Sequence, residues 1–354
     1  MNMEQQSTSH KFNFAGTASE WFGIWIVNLL LSIVTLGIYS AWAKVRTKKY
    51  FYGNTYVDGR NFDYHATGGQ ILVGRLIVIA AFVVFQIIIT IFPILGLILM
   101  LAFIFMFPWL IIRSLAFNAG MSSFSNVRFS FAGTYGRALL IYLIYPVLSF
   151  LTLYTTFPIL DRATKRFSIE NHRLGTASFY MEAPLSVFYK AAGIALVWIV
   201  GVFIAAWLSL GGGMFLTSQS FLTIGEDPEA IFMIMLTFYA VLFIGFPPAA
   251  IIYQALTRNA IYSGTTLVGG HRFSSDVNPA QMIWIAVSNL VVVVCSLGLM
   301  LPWAKIRMAR YLADHTAIKL GSSLDDFIGT AQGKNTALGD AYSDIEGIDV
   351  GISI

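Results

Sequence analysis

Leu36-Gly-Ile-Tyr-Ser-Ala-Trp-Ala-Lys-Val-Arg46 returns later in the chain as Leu297-Gly-Leu-Met-Leu-Pro-Trp-Ala-Lys-Ile-Arg307. Each copy closes a long apolar run with a Trp and a basic cluster. That combination belongs where a membrane segment meets water: the indole sits at headgroup level, and Lys and Arg reach past it. The same offset pairs Asn28 with Asn289, Trp42 with Trp303, Lys49 with Arg310 and Tyr50 with Tyr311. One membrane-embedded unit has been copied.

The residues around these copies agree. Of the 354 residues, 57% are hydrophobic and 11% charged, against roughly a quarter charged in a soluble domain. No Asp, Glu, Lys or Arg occurs in 76–112, 138–160, 191–225 or 230–257. Runs of that length suit helices crossing a hydrocarbon layer about 30 Å thick. Apolar segments fall at about 20–42, 72–92, 95–112, 135–160, 187–210, 230–252 and 280–303. The chain reads as a polytopic membrane protein. Residues 1–18 are polar without a basic start, and the first apolar run is followed by Lys44, Arg46, Lys48 and Lys49, so that run is expected to stay in the membrane. The lone Cys295 excludes an internal disulfide. The net charge of +4 fits basic cytoplasmic loops, and no nucleic-acid partner is expected.

Short motifs precede three of the segments: Lys11-Phe-Asn-Phe-Ala-Gly-Thr17, Arg128-Phe-Ser-Phe-Ala-Gly-Thr134 and Arg272-Phe-Ser-Ser275. The middle copy has Ile159 and Asp161 where the first has Trp42 and Lys44. The expected fold is an all-α polytopic membrane protein built from a degenerate internal repeat, two full units plus a partial third, with a small β layer at the cytoplasmic face. The expected divisions are a polar N-terminal segment with a short strand (1–18), unit one (19–115), unit two (116–255), a partial unit three (256–320) and an acidic tail (321–354). Tyr56 to Tyr64, with Asp58-Gly59 at its centre and alternating aromatics, predicts a β-hairpin. Phe12-Asn-Phe14 and Phe129-Ser-Phe131 read as short strands. The tail ends in an alternating stretch, Gly347 to Ile354, open to two readings: an edge strand or a free acidic tail.

The turns near 93–95 and 209–229 hold no Lys or Arg, and the second holds Glu226, Asp227 and Glu229. By the positive-inside rule both face away from the cytoplasm. The segments 20–42, 135–160 and 280–303 admit two arrangements. Full crossings would give inverted repeats, the transporter pattern. Alternatively each dips in and returns, turning at Thr35-Leu-Gly37 and around 152–156. The second is favoured because it keeps every basic flank on one side.

Trp42, Lys44, Arg46, Lys48 and Lys49, with Trp303, Lys305, Arg307 and Arg310, are the candidate contacts for the bilayer interface and for anionic phospholipid. Each cation near such a surface is worth about 1 kcal/mol. The embedded polar residues Asn28, Gln86 and Asn289 are expected to hydrogen-bond between helices. Ionisable groups are absent from segment centres; Glu20, Arg75 and Lys190 sit at the ends, which argues against an ion-coupled pump. His10, His65, His172, His271 and His315 lack metal-ligand spacing, so no metal or cofactor is expected. There is no nucleophile elbow, P-loop or dinucleotide fingerprint, hence no catalytic residue and no enzyme assignment. Gly211-Gly-Gly213 reads as a flexible joint.

At Thr35-Leu-Gly-Ile-Tyr39, Trp42-Ala-Lys-Val-Arg46, Trp303-Ala-Lys-Ile-Arg307, Asp58-Gly-Arg-Asn-Phe62 and the Ala341 to Ile354 ending, the chain resembles the bacterial inner-membrane family typified by YjgN. The resemblance runs from about Lys11 to Ile354. It implies the bacterial cytoplasmic membrane and supplies no activity. The expected function is a non-enzymatic platform that binds lipid or protein through its basic helix ends, its β layer or its acidic tail. The alternative is a transporter or channel for a neutral or apolar solute.

Overall fold

The predicted strands form more than a small layer. The computed structural model describes residues 9–209, 228–321 and 328–329, and in it ten antiparallel strands close into one barrel. They are β1 (Ser9–Phe14), β2 (Thr55–Val57), β3 (Arg60–Tyr64), β4 (Ser122–Phe124), β5 (Val127–Phe131), β6 (His172–Leu174), β7 (Ala177–Met181), β8 (Thr265–Leu267), β9 (His271–Ser275) and β10 (Thr316–Lys319). Strand β1 closes the ring. It pairs with β2 through Phe12↔Val57 and with β10 through Ser9↔Lys319.

This overturns the expected fold class. A layer of isolated hairpins would leave unpaired backbone edges, whereas closure pairs each strand on both sides. Strands from the whole chain build one ring, so two units and a part do not describe the molecule. The Asp58-Gly59 hairpin forms where predicted, with φ of 49° and 72°, as a type I′ turn requires. The acidic tail's carboxylates, its Gly347 to Ile354 ending, Gly211 to Gly213, Glu226 and Asp227 lie outside the described residues.

Between β-hairpins the chain leaves the barrel as antiparallel helical arms. Helices α1 (Ala18–Val34) and α2 (Ser40–Gly53) make the first. Helices α3 (Gly68–Ile91) and α4 (Pro93–Gly120) make the second, and α5 (Tyr135–Leu151) and α6 (Phe157–Asn171) the third. In the fourth, α7 (Leu185–Ser209) is followed by α8, which runs Pro228–Ala240, Val241–Gly245 and Phe246–Ser263. Helices α9 (Pro279–Cys295) and α10 (Leu301–Asp314) make the last. Helices α3, α4, α7 and α8 are long and apolar enough to cross a membrane; the 24 residues of α3 extend about 36 Å.

The other three arms turn back sooner. After Val34 the Gly37 N–H donates to Ser32 O at 2.7 Å, with Leu36 and Gly37 at φ 50° and 90°. This is a Schellman closure. It recurs as Tyr154 N–H to Ser149 O at 2.6 Å and Gly298 N–H to Val293 O at 2.8 Å. The Thr35 hydroxyl donates to Leu31 O at 2.7 Å and accepts from the Tyr39 N–H at 2.9 Å, so one side chain joins both helices. A chain can turn inside hydrocarbon only if such backbone groups are paired. The tips are apolar: Leu36 and Leu297 are each 94% exposed, a state suited to lipid. The apolar runs 20–42, 135–160 and 280–303 are therefore broken hairpins.

A single device fastens all five arms to the barrel. The first residue of the strand after each return helix bonds the carbonyl four residues back. Thr55 donates to Phe51 O, Ser122 to Asn118 O, Thr265 to Ile261 O and Thr316 to Leu312 O, and His172 Nδ1 stands 2.6 Å from Ser168 O. The barrel interior is filled by Val57, Phe124, Val127, Leu174, Leu267 and Ile318. Phe12, Phe62, Phe129, Phe179 and Phe273, one each from β1, β3, β5, β7 and β9, pack against that core. Phe62 and Phe124 lie 4.7 Å apart between ring centroids. The Phe-x-Phe-Ala-Gly-Thr motif has a steric reason: a Cβ on Gly133 would lie 2.5 Å from the Phe131 ring.

Candidate functional site

The basic helix ends divide by orientation. Arg46, Lys49, Lys305 and Arg310 are exposed and Lys44 is half-buried. Arg46 donates to the Tyr39 hydroxyl at 3.0 Å. Trp42 stacks on Tyr39 at 6.1 Å and covers Gly68 at the start of α3, where a Cβ would lie 2.4 Å from the indole. Lys48 turns inward, donating to Asn118 Oδ1 and lying 4.7 Å over the Tyr64 ring. Arg307 lies over Trp303 at 5.2 Å and donates to Ser288 Oγ at 2.6 Å and Asn289 Oδ1 at 3.1 Å. Arg310 reaches Gly16 O at 3.1 Å, tying the last arm to the chain just after β1.

The nine candidates thus serve two ends. Arg46, Lys49 and Lys305 face outward at the arm bases, while Lys48, Arg307 and Arg310 join neighbouring elements. Of the embedded polar groups, Asn289 is buried and donates to Ala304 O at 3.1 Å, linking α9 to α10. Asn28 is buried as well, but its Oδ1 has no hydrogen-bond partner among the described residues. Gln86 lies exposed along α3.

The arm bases are latched by two tyrosines that share the sequence offset. Tyr50 Oη accepts from the Thr17 N–H and donates to Thr17 O, both at 2.9 Å. Tyr311 Oη accepts from the Asn278 N–H at 2.9 Å and donates to Asn278 O at 3.2 Å. The third arm carries Phe167 at the matching place. Phe167 packs edge-on to Phe131 at 5.7 Å instead.

A chamber of about 540 Å³ opens where the last turns of α2, α4, α8 and α10 meet strands β1, β3 and β5. Its wall is mostly apolar, with phenyl rings from Phe12, Phe14, Phe51, Phe62 and Phe129. Among the described residues Arg258 is the single Lys or Arg on that wall, and no Asp or Glu lines it. The Arg258 Nη2 donates to Thr316 Oγ1 at 2.8 Å, and the guanidinium lies 4.2 Å over the Tyr262 ring. Its Nε is buried with no hydrogen-bond partner among the described residues. His172 also lines the chamber. A carbonyl can only accept, so the neighbouring Ser168 O assigns the proton to Nδ1 and leaves Nε2 an acceptor. Burial lowers the pKa of His172, opposed in part by that backbone bond, so its ring is neutral near pH 7.

Such a site can bind and orient. Among the described residues no group of three His, Cys, Asp or Glu is placed to hold a metal. Sequence reasoning missed Arg258 because Leu256-Thr-Arg-Asn259 reads as a joint between units. The available signal was a lone Arg directly after the uncharged run 230–257.

A family model described as "Bacterial protein of unknown function (DUF898)" matches residues 9–345. Inner membrane protein YjgN of Salmonella typhimurium (strain LT2) is 26% identical over 359 residues, covering 88% of this chain and 89% of the relative. The proteins of that name from Escherichia coli O157:H7 and strain K12 are 38% and 39% identical over 131 residues, or 36% of this chain. The match spans 32% of the length of each Escherichia coli relative. No solved structure matches the chain. With the long apolar helices α3, α4, α7 and α8 and these relatives, this is a multi-pass protein of the bacterial inner membrane, and it belongs to the DUF898 family of bacterial proteins of unknown function.

Proposed function

We propose that the protein is a non-enzymatic membrane platform that holds anionic phospholipid against its arm bases, with the barrel on the cytoplasmic side. The observation that carries this reading is the arrangement of the short arms. Their tips expose Leu36, Leu153 and Leu297, while their bases expose Arg46, Lys49 and Lys305. An arm with an apolar tip and a cationic base matches one leaflet, its tip among acyl chains and its base among headgroups. The tight turn at Phe92, between α3 and α4, carries no cation nearby, which supports the barrel end as the cytoplasmic one. A conduit along the barrel axis would have to displace the packed rings around Phe62 and Phe124, so the platform reading is better supported than a channel there.

The test is lipid co-purification from a native membrane extract. With each surface cation worth about 1 kcal/mol, the Lys49→Gln/Lys305→Gln double variant should retain several-fold less phosphatidylglycerol and cardiolipin than the unaltered protein, with phosphatidylethanolamine unchanged. Equal anionic lipid content in both proteins would remove the proposal.

A further inference from the structure

The chamber beneath the barrel has a chemistry the surface reading does not use. Its wall is mostly phenyl rings and small apolar side chains, with Thr55, Asn118, Ser122, His172 and Thr316 as neutral polar groups and Arg258 as the one Lys or Arg among the described residues. A guanidinium carries five N–H donors. Arg258 bonds one side-chain acceptor, Thr316 Oγ1, and rests its face on Tyr262. Among the described residues no carboxylate lines the chamber to balance its charge. Arg258 is half-buried, its Nε is enclosed with no hydrogen-bond partner among the described residues, and a ligand that supplies one negative charge would offset the desolvation of this cation. The remaining surface asks for an apolar body. The volume falls within the roughly 300–1,000 Å³ of pockets that hold drug-sized ligands.

We propose that the chamber binds a single-chain amphiphile with a carboxylate head, a fatty acid. The carboxylate lies against Arg258, which can present two parallel N–H donors to a planar anion. The Thr316 hydroxyl stands beside that head. The alkyl chain runs among Phe12, Phe51, Phe62 and Phe129. One fixed cation suits a monoanion; a phosphate dianion would leave charge unmatched. The site lies inside the fold, away from exposed Lys49 and Lys305, so its occupancy is independent of headgroup binding at the arm bases.

The experiment uses the full chain in nanodiscs of phosphatidylcholine and measures equilibrium binding of radiolabelled dodecanoate, with empty nanodiscs subtracted. The expected result is saturable binding at one dodecanoate per chain, competed at least tenfold better by unlabelled dodecanoate than by dodecanol. Arg258→Gln should weaken it at least tenfold, and Arg258→Lys, which keeps the charge without the fork, should fall between. Ala313→Phe, which adds a ring to the chamber wall, should lower occupancy with Arg258 intact, and it decides the matter if the Arg258 variants do not fold. Lys49→Gln/Lys305→Gln should bind dodecanoate as the unaltered protein does. Non-saturable uptake, equal competition by dodecanol, or full affinity in a folded Arg258→Gln variant would overturn the proposal.

Discussion

Individual side chains in this chain are chosen for what they join. Tyr311 is buried and its hydroxyl satisfies both backbone groups of Asn278, the N-cap residue of α9. Tyr311→Phe would strand the Asn278 N–H, while the Asn278 carbonyl would keep the Met282 N–H at 3.0 Å. A hydrogen bond contributes about 0.5–1.5 kcal/mol net, so thermal unfolding in detergent should begin measurably lower for Tyr311→Phe than for the unaltered protein. Phe167→Tyr, which restores a hydroxyl at the matching place in the third arm, is the informative partner variant. The offset between Tyr50 and Tyr311 was plain in the sequence, as was the cationic cluster beside each. What each cation does was not. Lys48 and Lys49 are neighbours in a basic run, yet one points at Asn118 and the other at solvent. Helical phase against an unseen neighbour decides that, and a single sequence contains the phase without the neighbour.

At the scale of elements, the barrel seam holds a titratable group at its centre. His271 on β9 is 1% exposed, and its Nδ1 accepts from the Gly321 N–H at 3.4 Å. Burial lowers its pKa below the ordinary 6.5. The unfolded chain therefore takes up protons before the folded one does as pH falls below about 6.5. Stability is complete above that value and declines as pH drops towards the folded pKa; His172, lowered for the same reason, adds in the same direction. The melting temperature should be lower at about pH 5.5 than at about pH 7.5, and His271→Gln should flatten that difference in part. An unchanged melting temperature across the range would show that neither ring titrates against burial. The strands themselves were only partly legible. Asp58-Gly59 announced a hairpin, but β4, β6 and β8 are three residues each, too short for an alternation of apolar residues to register. Their meaning comes from the partner each finds across the ring. The first helical turn was legible because Thr35-Leu-Gly37 carries both the capping hydroxyl and the residue tolerant of positive φ; the middle turn has Tyr154 where the others have Gly.

For the whole molecule the decisive quantity is which way it faces. With Cys295 replaced by Ala, a single cysteine at Ile94, beside the α3–α4 turn, should react with a membrane-impermeant maleimide in spheroplasts with the outer face exposed. One at Thr176, in the exposed turn between β6 and β7, should react only after the membrane is opened. Labelling of position 176 from outside would reverse the orientation and remove the cytoplasmic platform.

The pairing of Ser9 with Lys319 also sets a clock. A ribosome adding about 5–20 residues per second takes roughly 15–60 seconds to bring β10 out after β1. Throughout that interval β1 has β2 on one side and an open edge on the other, at a membrane surface where other unfinished chains are being threaded in. Nascent copies that meet during this wait could exchange first strands, and the last strand to emerge is the one that ends the risk. Slowing translation between β9 and β10 should therefore raise the yield of interlocked dimers.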